Sequence, residues 1–497
     1  MVYYGVVSKG CQRCRQRKIK CDQRRPACLK CEKSKTQCLG YRNLADVMFR
    51  DESERIIRKA GIFRGDRQAE QPKPLLILDA VSTLVTSPTF PERLVSLPAS
   101  DSNALFPLSI PSALSQSINE IGAHFFFANY LFDGPPYASN NRAWLTQTYC
   151  EDRHNHALRV AIEAVGMAGI SNMFHAPHVA VKSKEQYGRA LAAINQALGD
   201  PVEMIADGTL MAVILLGLYE TIAVESWDQF RSWTAHIKGA TALLQLRGQE
   251  QFSRERGVQL YVQLRGQIMY ACVQQDIPVP PALVQMNDTY KTSNTGERRS
   301  KICPGSIADM SFQLLNLRAA IKRGELTDSK TIRDAATEID RDLDAWRADI
   351  PPSYWSYAAI DASNAPAGTN FNGKCHVYGN LWSAQVWNNW RAVRIVTNQI
   401  ILQNEVRSSA SQSARQSKVI SLIRQLSTDI CISTPSFTGS SRAVALIWTL
   451  FIVSQEELND RSERSWAVEQ LRNINASMGI RHARLLADFA SQHLKVS

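Results

Sequence analysis

Six cysteines within residues 11–38 constrain this chain more than any other feature. They read Cys11-x2-Cys14-x6-Cys21-x6-Cys28-x2-Cys31-x6-Cys38, one C-x2-C-x6-C unit written twice. Thiols at this density serve as disulfides or as metal ligands. Disulfides need an oxidising compartment. The N-terminal stretch has no apolar h-region of a secretory signal, so the expectation is a reducing compartment and zinc. A closed structural zinc takes four tetrahedral ligands. No His lies inside the segment. The six Cys therefore make either one four-sulfur site with two spare thiols, or two Zn²⁺ sites that share two sulfurs. The twofold repeat favours sharing, because each half then supplies one equivalent bridge. On that reading Cys11 and Cys28 bridge, Cys14 and Cys21 complete one zinc, and Cys31 and Cys38 complete the other.

Charge gathers at the same end. Residues 1–70 hold 18 Lys and Arg against 8 Asp and Glu, which accounts for +10 of the total +11. Such a block implies a polyanionic partner, nucleic acid or an anionic membrane surface. Between Cys14 and Cys21 runs Arg15-Gln16-Arg17-Lys18-Ile19-Lys20, four of six cationic and free of Gly and Pro. A short helix is expected there. It is too short to be stable alone, so metal ligation at both ends must hold it. A rigid basic helix of this size fits the DNA major groove, where Lys and Arg reach guanine O6 and N7.

The segment resembles the Zn2Cys6 binuclear cluster of fungal transcription factors. The resemblance rests on all six Cys, on the C-R-x-R-K-x-K-C run from Cys14 to Cys21, and on Pro26 between the halves. It implies a first helix pointing into the major groove of double-stranded DNA and reading CGG-type half-sites. By position, Lys18 is the expected base contact and Arg17 the second. Arg13, Arg15, Lys20, Lys30, Lys33 and Lys35 are expected on phosphates, which position without specifying sequence. The implied location is the nucleus.

The fold class expected is a small zinc-stabilised Zn2Cys6 domain, residues 8–40, followed by a large all-α domain, residues 119–497. Residues 41–67 have apolar positions at helical spacing and i,i+4 ion pairs at Asp51/Arg55 and Glu54/Arg58. No heptad run of three or four repeats follows the cluster, so a coiled-coil dimer element is not expected and homodimerisation stays open. Residues 68–118 hold seven of the chain's 20 Pro and read as a linker. Beyond it, Ile332, Ala336, Ile339, Leu343 and Trp346 alternate steps of four and three, a buried helical stripe. Asp328 is its expected cap and Pro351-Pro352 its stop. Leu210–Glu220, His376–Leu402, Ser441–Ser454 and Ser465–Ala476 also read as helices, and Met286–Gly305 as a long loop. Trp227…His236-x2-Gly239-Ala240…Arg247-Gly248, Trp346…Pro351-Pro352…Trp355, Trp387-Asn388-x-Trp390-Arg391 and Glu456…Arg464-x-Trp466 together resemble the fungal-specific regulatory domain that accompanies such clusters.

Other classes fit less well. The longest apolar runs, Leu210–Tyr219 and Ala443–Val453, fall short of the roughly 20 residues a bilayer span needs, so no membrane partner is expected. No G-x-S-x-G, H-E-x-x-H, P-loop or dinucleotide fingerprint occurs, so no catalytic residues are assigned. His154-x-His156 and His175-x2-His178 have ligand spacing but no further partner in a hydrolase pattern. The five later Cys are expected to be buried thiols. The reading that remains is a sequence-specific regulator of RNA polymerase II transcription, with co-regulators as further partners. A secondary-metabolite gene cluster is the favoured target by resemblance. The alternatives are a cluster acting mainly through protein contacts and an enzyme tethered to DNA.

Overall fold

The computed structural model describes residues 11–17, 19–22, 24, 27–34, 36, 38, 117–131, 141–151, 155–227, 230–293, 306–350, 355–364, 369–405 and 410–496. The chain divides into two units, Met1–Gly65 and Asp66–Ser497. The helical segment expected at 41–67, nearly all of the 68–118 linker, and Pro351-Pro352 lie outside the described residues.

In the first unit, α1 (Gln12–Gln16) and α2 (Leu29–Lys33) each span five residues. The first helix is not where its composition places it. It starts directly after Cys11 and ends before Lys18, rather than filling Cys14 to Cys21. The cause is local: the Cys11 sulfur accepts the Cys14 N–H at 3.5 Å and so caps the helix. Cys28 does the same for Cys31 at 3.4 Å.

The second unit is largely helical. Its first helix among the described residues, α3 (Ile118–Asn129), opens on a reciprocal cap. Ser117 Oγ accepts the Glu120 N–H at 3.2 Å, and the Glu120 carboxylate accepts the Ser117 N–H at 2.9 Å. There follow α4 (Asn141–Glu151), α5 (His156–Met173), α6 (Pro177–Ala197), α7 (Asp207–Ala223), α8 (Phe230–Arg247), α9 (Glu255–Gln275) and α10 (Pro281–Thr292). Every residue of α7 from Leu210 to Tyr219 is buried, as expected of a helix apolar all round. Helix α5 packs on α3, α6 and α7. It approaches α3 so closely that a Cβ on Gly166 would stand 1.7 Å from the Gly122 carbonyl oxygen.

The chain continues through α11 (Ser306–Lys322) and α12 (Ser329–Asp349), then β1 (Tyr357–Asp361) and β2 (Lys374–Tyr378). It closes with α13 (Leu381–Gln403), α14 (Ala410–Ser433), α15 (Leu446–Gln455), α16 (Arg461–Met478) and α17 (Arg481–Val496). The α12 stripe is buried at all five expected positions, and Asp328 caps it by accepting the Thr331 N–H at 2.8 Å. Helix α13 lies against that stripe. Trp390 Nε1 donates to the Leu343 carbonyl at 2.8 Å, and Arg394 pairs with Asp340 at 2.8 Å and Asp344 at 2.6 Å.

Four expectations change. His376–Leu402 is not one helix: His376–Tyr378 belongs to β2, and α13 begins after Asn380, whose side chain accepts the Ser383 N–H. The strands pair antiparallel with Tyr357 opposite Tyr378. They are short and poor in β-branched residues, so the sequence carries no alternation to announce them. Residues 286–292 are helical within α10, and 294–305 lie outside the described residues. The buried stripe of α10 is Leu283, Asn287 and Tyr290. Its middle position is an amide, which hides the period. The apolar stretch at Ser441–Ser454 splits into a 3₁₀ turn, Ser441–Ala445, and α15. Of the later cysteines, Cys272 and Cys431 are buried as expected, while Cys375 is half-buried and Cys150 exposed. Cys303 lies outside the described residues. Among the described residues no helix is long and apolar enough to cross a membrane.

Two buried histidines make this unit acid-sensitive. Desolvation and then the Arg391 charge push His376 down to about 4, and burial pushes His482 down to about 3. In the unfolded chain both titrate near the ordinary value of about 6.5. The unfolded chain therefore binds more protons below that pH, and folding stability falls as pH drops from about 6.5 towards 4. Denaturant titrations across this range should show that fall, and His376→Gln should flatten it.

Candidate metal centre and nucleic-acid interface

The six cysteines of the first unit converge. Cys11, Cys14, Cys28 and Cys31 are each at most 1% exposed, with Cys21 and Cys38 packed against them. None forms a disulfide. Their sulfurs fall into two groups, Cys11, Cys14, Cys21, Cys28 and Cys11, Cys28, Cys31, Cys38, each with all four Sγ atoms within 4.8 Å of one another. Cys11 and Cys28 belong to both. The sulfurs stand 3.7 Å apart for Cys11–Cys28, 3.8 Å for Cys11–Cys31 and 3.7 Å for Cys14–Cys28. A tetrahedral zinc with Zn–S near 2.3 Å sets its ligands about 3.8 Å apart. The donor set, four soft thiolates per group, suits the same ion. These clustered cysteines are able to bind zinc.

The repeat in sequence is a repeat in hydrogen bonding. Besides the sulfur caps, Ile19 N–H donates to Cys14 O at 3.0 Å and Thr36 N–H to Cys31 O at 3.1 Å. Each bond in the second half is the first-half bond displaced by seventeen residues, the offset between matching cysteines.

Electrostatics explains why a metal belongs here. Burial, reinforced by neighbouring thiols, pushes Cys31 up to about 12 and Cys14 higher still. Cys11 is raised as well, again chiefly by burial. Without a cation these three thiols hold their protons at neutral pH, because burial disfavours the charged thiolate and neighbouring thiols add to that. A divalent ion reverses that balance.

The cations expected to meet DNA are distributed around this core. Arg17, Lys20, Lys30 and Lys33 are exposed, and Arg13 is half-buried on α1. Arg15 lies on α1; Lys18 and Lys35 fall outside the described residues. The structure also displays contacts that charge counting passes over. Asp22 accepts the Leu29 N–H at 3.2 Å and ties the end of the first half to the start of α2. Desolvation opposes its ionisation, but the Leu29 N–H and other backbone donors hold its carboxyl below the ordinary value. Arg24 pairs with Glu32 at 3.5 Å across the same junction. Asp22 directly follows Cys21, and that adjacency was its one signal in the sequence.

This geometry defines a sulfur-cored, basic module ahead of a helical unit. Comparison with known proteins gives the same class. Residues 9–46 match the fungal Zn(2)-Cys(6) binuclear cluster domain, and residues 124–274 match the fungal specific transcription factor domain. Over these two stretches the chain carries the domains of fungal Zn2Cys6 transcription regulators. Over 38 residues, 8% of each chain, it is 55% identical to White-opaque regulator 2 of Candida albicans. It is 25% identical over 260 residues to the aspercryptin biosynthesis cluster-specific transcription regulator atnN of Emericella nidulans, covering 49% of this chain and 36% of that protein. Over 39 residues it is 51% identical to the transcriptional regulatory protein moc3 of Schizosaccharomyces pombe, 8% of each chain. The chain thus spans well under two thirds of the length of these curated relatives. No solved structure matches it.

Because burial holds the protons on Cys11, Cys14 and Cys31 at neutral pH in the metal-free protein, zinc loading must expel protons. Adding Zn²⁺ to the metal-free protein near pH 7 should release protons, these three thiols among the sources. A pH-indicator titration reads the number, and apparent zinc affinity should rise with pH.

Proposed function

We propose that this protein is a sequence-specific, DNA-binding regulator of RNA polymerase II genes in a fungal nucleus. The observation that carries the reading is the pair of four-sulfur groups sharing Cys11 and Cys28 beside exposed cations. Two Zn²⁺ are held, one by Cys11, Cys14, Cys21 and Cys28, the other by Cys11, Cys28, Cys31 and Cys38. Bound zinc supplies the folding free energy of a segment too small to fold otherwise. Residues 8–40 form the DNA-binding domain, and α1 with the chain just after it enters the major groove. Lys18 and Arg17 read guanine edges of a CGG-type triplet. Arg13, Arg15, Lys20, Lys30, Lys33 and Lys35 neutralise phosphates. Six thiolates and two zinc ions sum to −2. Against eleven Lys and Arg and two Asp and Glu in residues 1–38, the loaded segment keeps about +7, which suits a polyanion.

Residues 119–497 act as a single regulatory domain that meets co-regulators and carries out no catalysis. The target is a secondary-metabolite gene cluster. Support comes from the likeness to the aspercryptin cluster regulator, which extends well past the zinc cluster into the helical unit.

Metal stoichiometry tests the shared-sulfur assignment. The native chain should hold two zinc atoms by elemental analysis. Cys11→Ser and Cys28→Ser should weaken both sites, while Cys21→Ser and Cys38→Ser should each weaken one. A native value of one zinc per chain with full operator binding would overturn the bridge.

DNA binding tests the readout. Lys18→Ala should cost about 1–3 kcal/mol on a CGG-containing site and much less on random duplex. Lys33→Ala should weaken both about equally and lower the slope of affinity against salt. An equal loss on both duplexes for Lys18→Ala would make it a phosphate contact only.

A further inference from the structure

The helical unit contains a partly open cavity of about 170 Å³ between α9, α11, α13 and α15, with Thr221 of α7 and His482 of α17 also in its lining. Aliphatic side chains from all four helices wall it, Val262, Met269, Leu314, Val393 and Ile447 among them. Close-packed interiors keep few voids larger than a water molecule. An apolar cavity of about 150 Å³ is enough to admit benzene.

Two features of the wall specify an occupant. The first is aromatic. Trp382, Trp448 and Tyr270 line the cavity. From Tyr270 a file of rings runs outward through Trp448, Phe451, Phe489 and Trp227, with successive centroids 6.1 to 6.4 Å apart. It ends at the surface, where Phe489 is 37% and Trp227 42% exposed. The second is charge. Arg265 and Arg318 both line the cavity, and among the lining residues there is no carboxylate and no lysine. Arg318 pairs at 2.7 Å with Asp276, which stands outside the wall. Arg265 donates to Asn287 at 2.8 Å and lies 5.4 Å from the centre of the Tyr290 ring. The remaining polar lining includes Asn389, Gln385 and the Ser311 hydroxyl. A cation placed here meets two guanidinium groups and no carboxylate in the wall itself, whereas an anionic oxygen meets N–H donors from arginine and amide side chains.

We propose that this cavity binds a small molecule made of one aromatic ring and one carboxylate, the ring held among the aliphatic and tryptophan side chains and the carboxylate directed to the arginines. Its wall joins lining residues of α7 and α9, Thr221 to Val273, which lie within residues 124–274, to residues of α11, α13, α15 and α17, which lie beyond them. Occupancy therefore ties the two stretches of the helical unit together and stabilises the folded form. The proposal is independent of the DNA contacts assigned above, and its test involves no DNA.

The test uses the full-length, zinc-loaded chain with benzoate, benzamide and benzylamine as probes and acetate at equal ionic strength as the control. Benzoate should raise the thermal midpoint and change tryptophan emission through Trp382 and Trp448, benzamide should do so more weakly, and benzylamine and acetate should do neither. Val393→Phe, which fills the cavity, should weaken benzoate at least about tenfold, or about 1.4 kcal/mol. Arg318→Gln, on a partly exposed side chain, should weaken benzoate but leave benzamide unchanged, and it decides the matter if Val393→Phe does not fold. No response to any aromatic probe would overturn the site. Equal responses to benzoate and benzylamine would overturn the carboxylate assignment. Undiminished benzoate binding in the variants would place the binding elsewhere.

Discussion

Sulfur takes the place of a hydrophobic core in the first unit. Its described buried side chains are Cys11, Cys14, Cys28 and Cys31, while Ile19 and Leu29 remain about 40% exposed. A segment of this size cannot bury enough apolar surface to offset its chain entropy. The same atoms that would coordinate metal also cap both short helices, so folding, metal binding and the placing of the exposed cations are one event. Arg17, Lys20, Lys30 and Lys33 radiate from that core, and their spacing in space is set by sulfur geometry rather than by side-chain packing.

The second unit follows the opposite logic. Helices α5 and α7 are buried on nearly every face, and several polar side chains enter the interior as hydrogen-bonded networks. Arg391 is the clearest case. It is 1% exposed, yet it donates to Tyr378 Oη at 3.0 Å and Asn388 Oδ1 at 2.8 Å and lies 5.1 Å from the Tyr357 ring centre. That network clamps the two-stranded sheet onto α13. Trp387 extends the clamp by donating to the Trp355 carbonyl at 2.8 Å. The Trp387-Asn388-x-Trp390-Arg391 run is thus a structural joint, which accounts for both its aromatics and its buried charge.

What the sequence disclosed follows from how local each determinant is. The cysteine spacing encodes ligand reach directly, and the two sulfur groups are those the repeat implied. The α12 stripe was legible because five apolar residues repeat on one face and Asp328 marks the start. The position of α1 was not, because a sulfur cap at Cys11 starts the helix upstream of the basic run. Helix α10 was missed because Asn287, its central buried residue, is polar and depends on Arg265 and Asp309 for its partners. The β1–β2 pair and the cavity are tertiary products: residues from 221 to 482 build the cavity, and no window of sequence contains them.

The scale of α1 bears on how such a regulator selects its targets. Under the proposed readout, a five-residue helix with Arg17 and Lys18 after it reaches few base edges. A good bidentate pair supplies about 1–3 kcal/mol of discrimination, so two such contacts supply about 2–6 kcal/mol. Specific over non-specific binding typically spans about 4–10 kcal/mol. Under the proposed readout, one cluster therefore fixes a triplet and little more, while phosphate contacts supply affinity for any duplex. The chain after the cluster contains no sustained heptads to pair two clusters. On that proposal, further discrimination comes from outside the single cluster. The two units differ accordingly in what orders them: clustered sulfur in the first and close helical packing in the second.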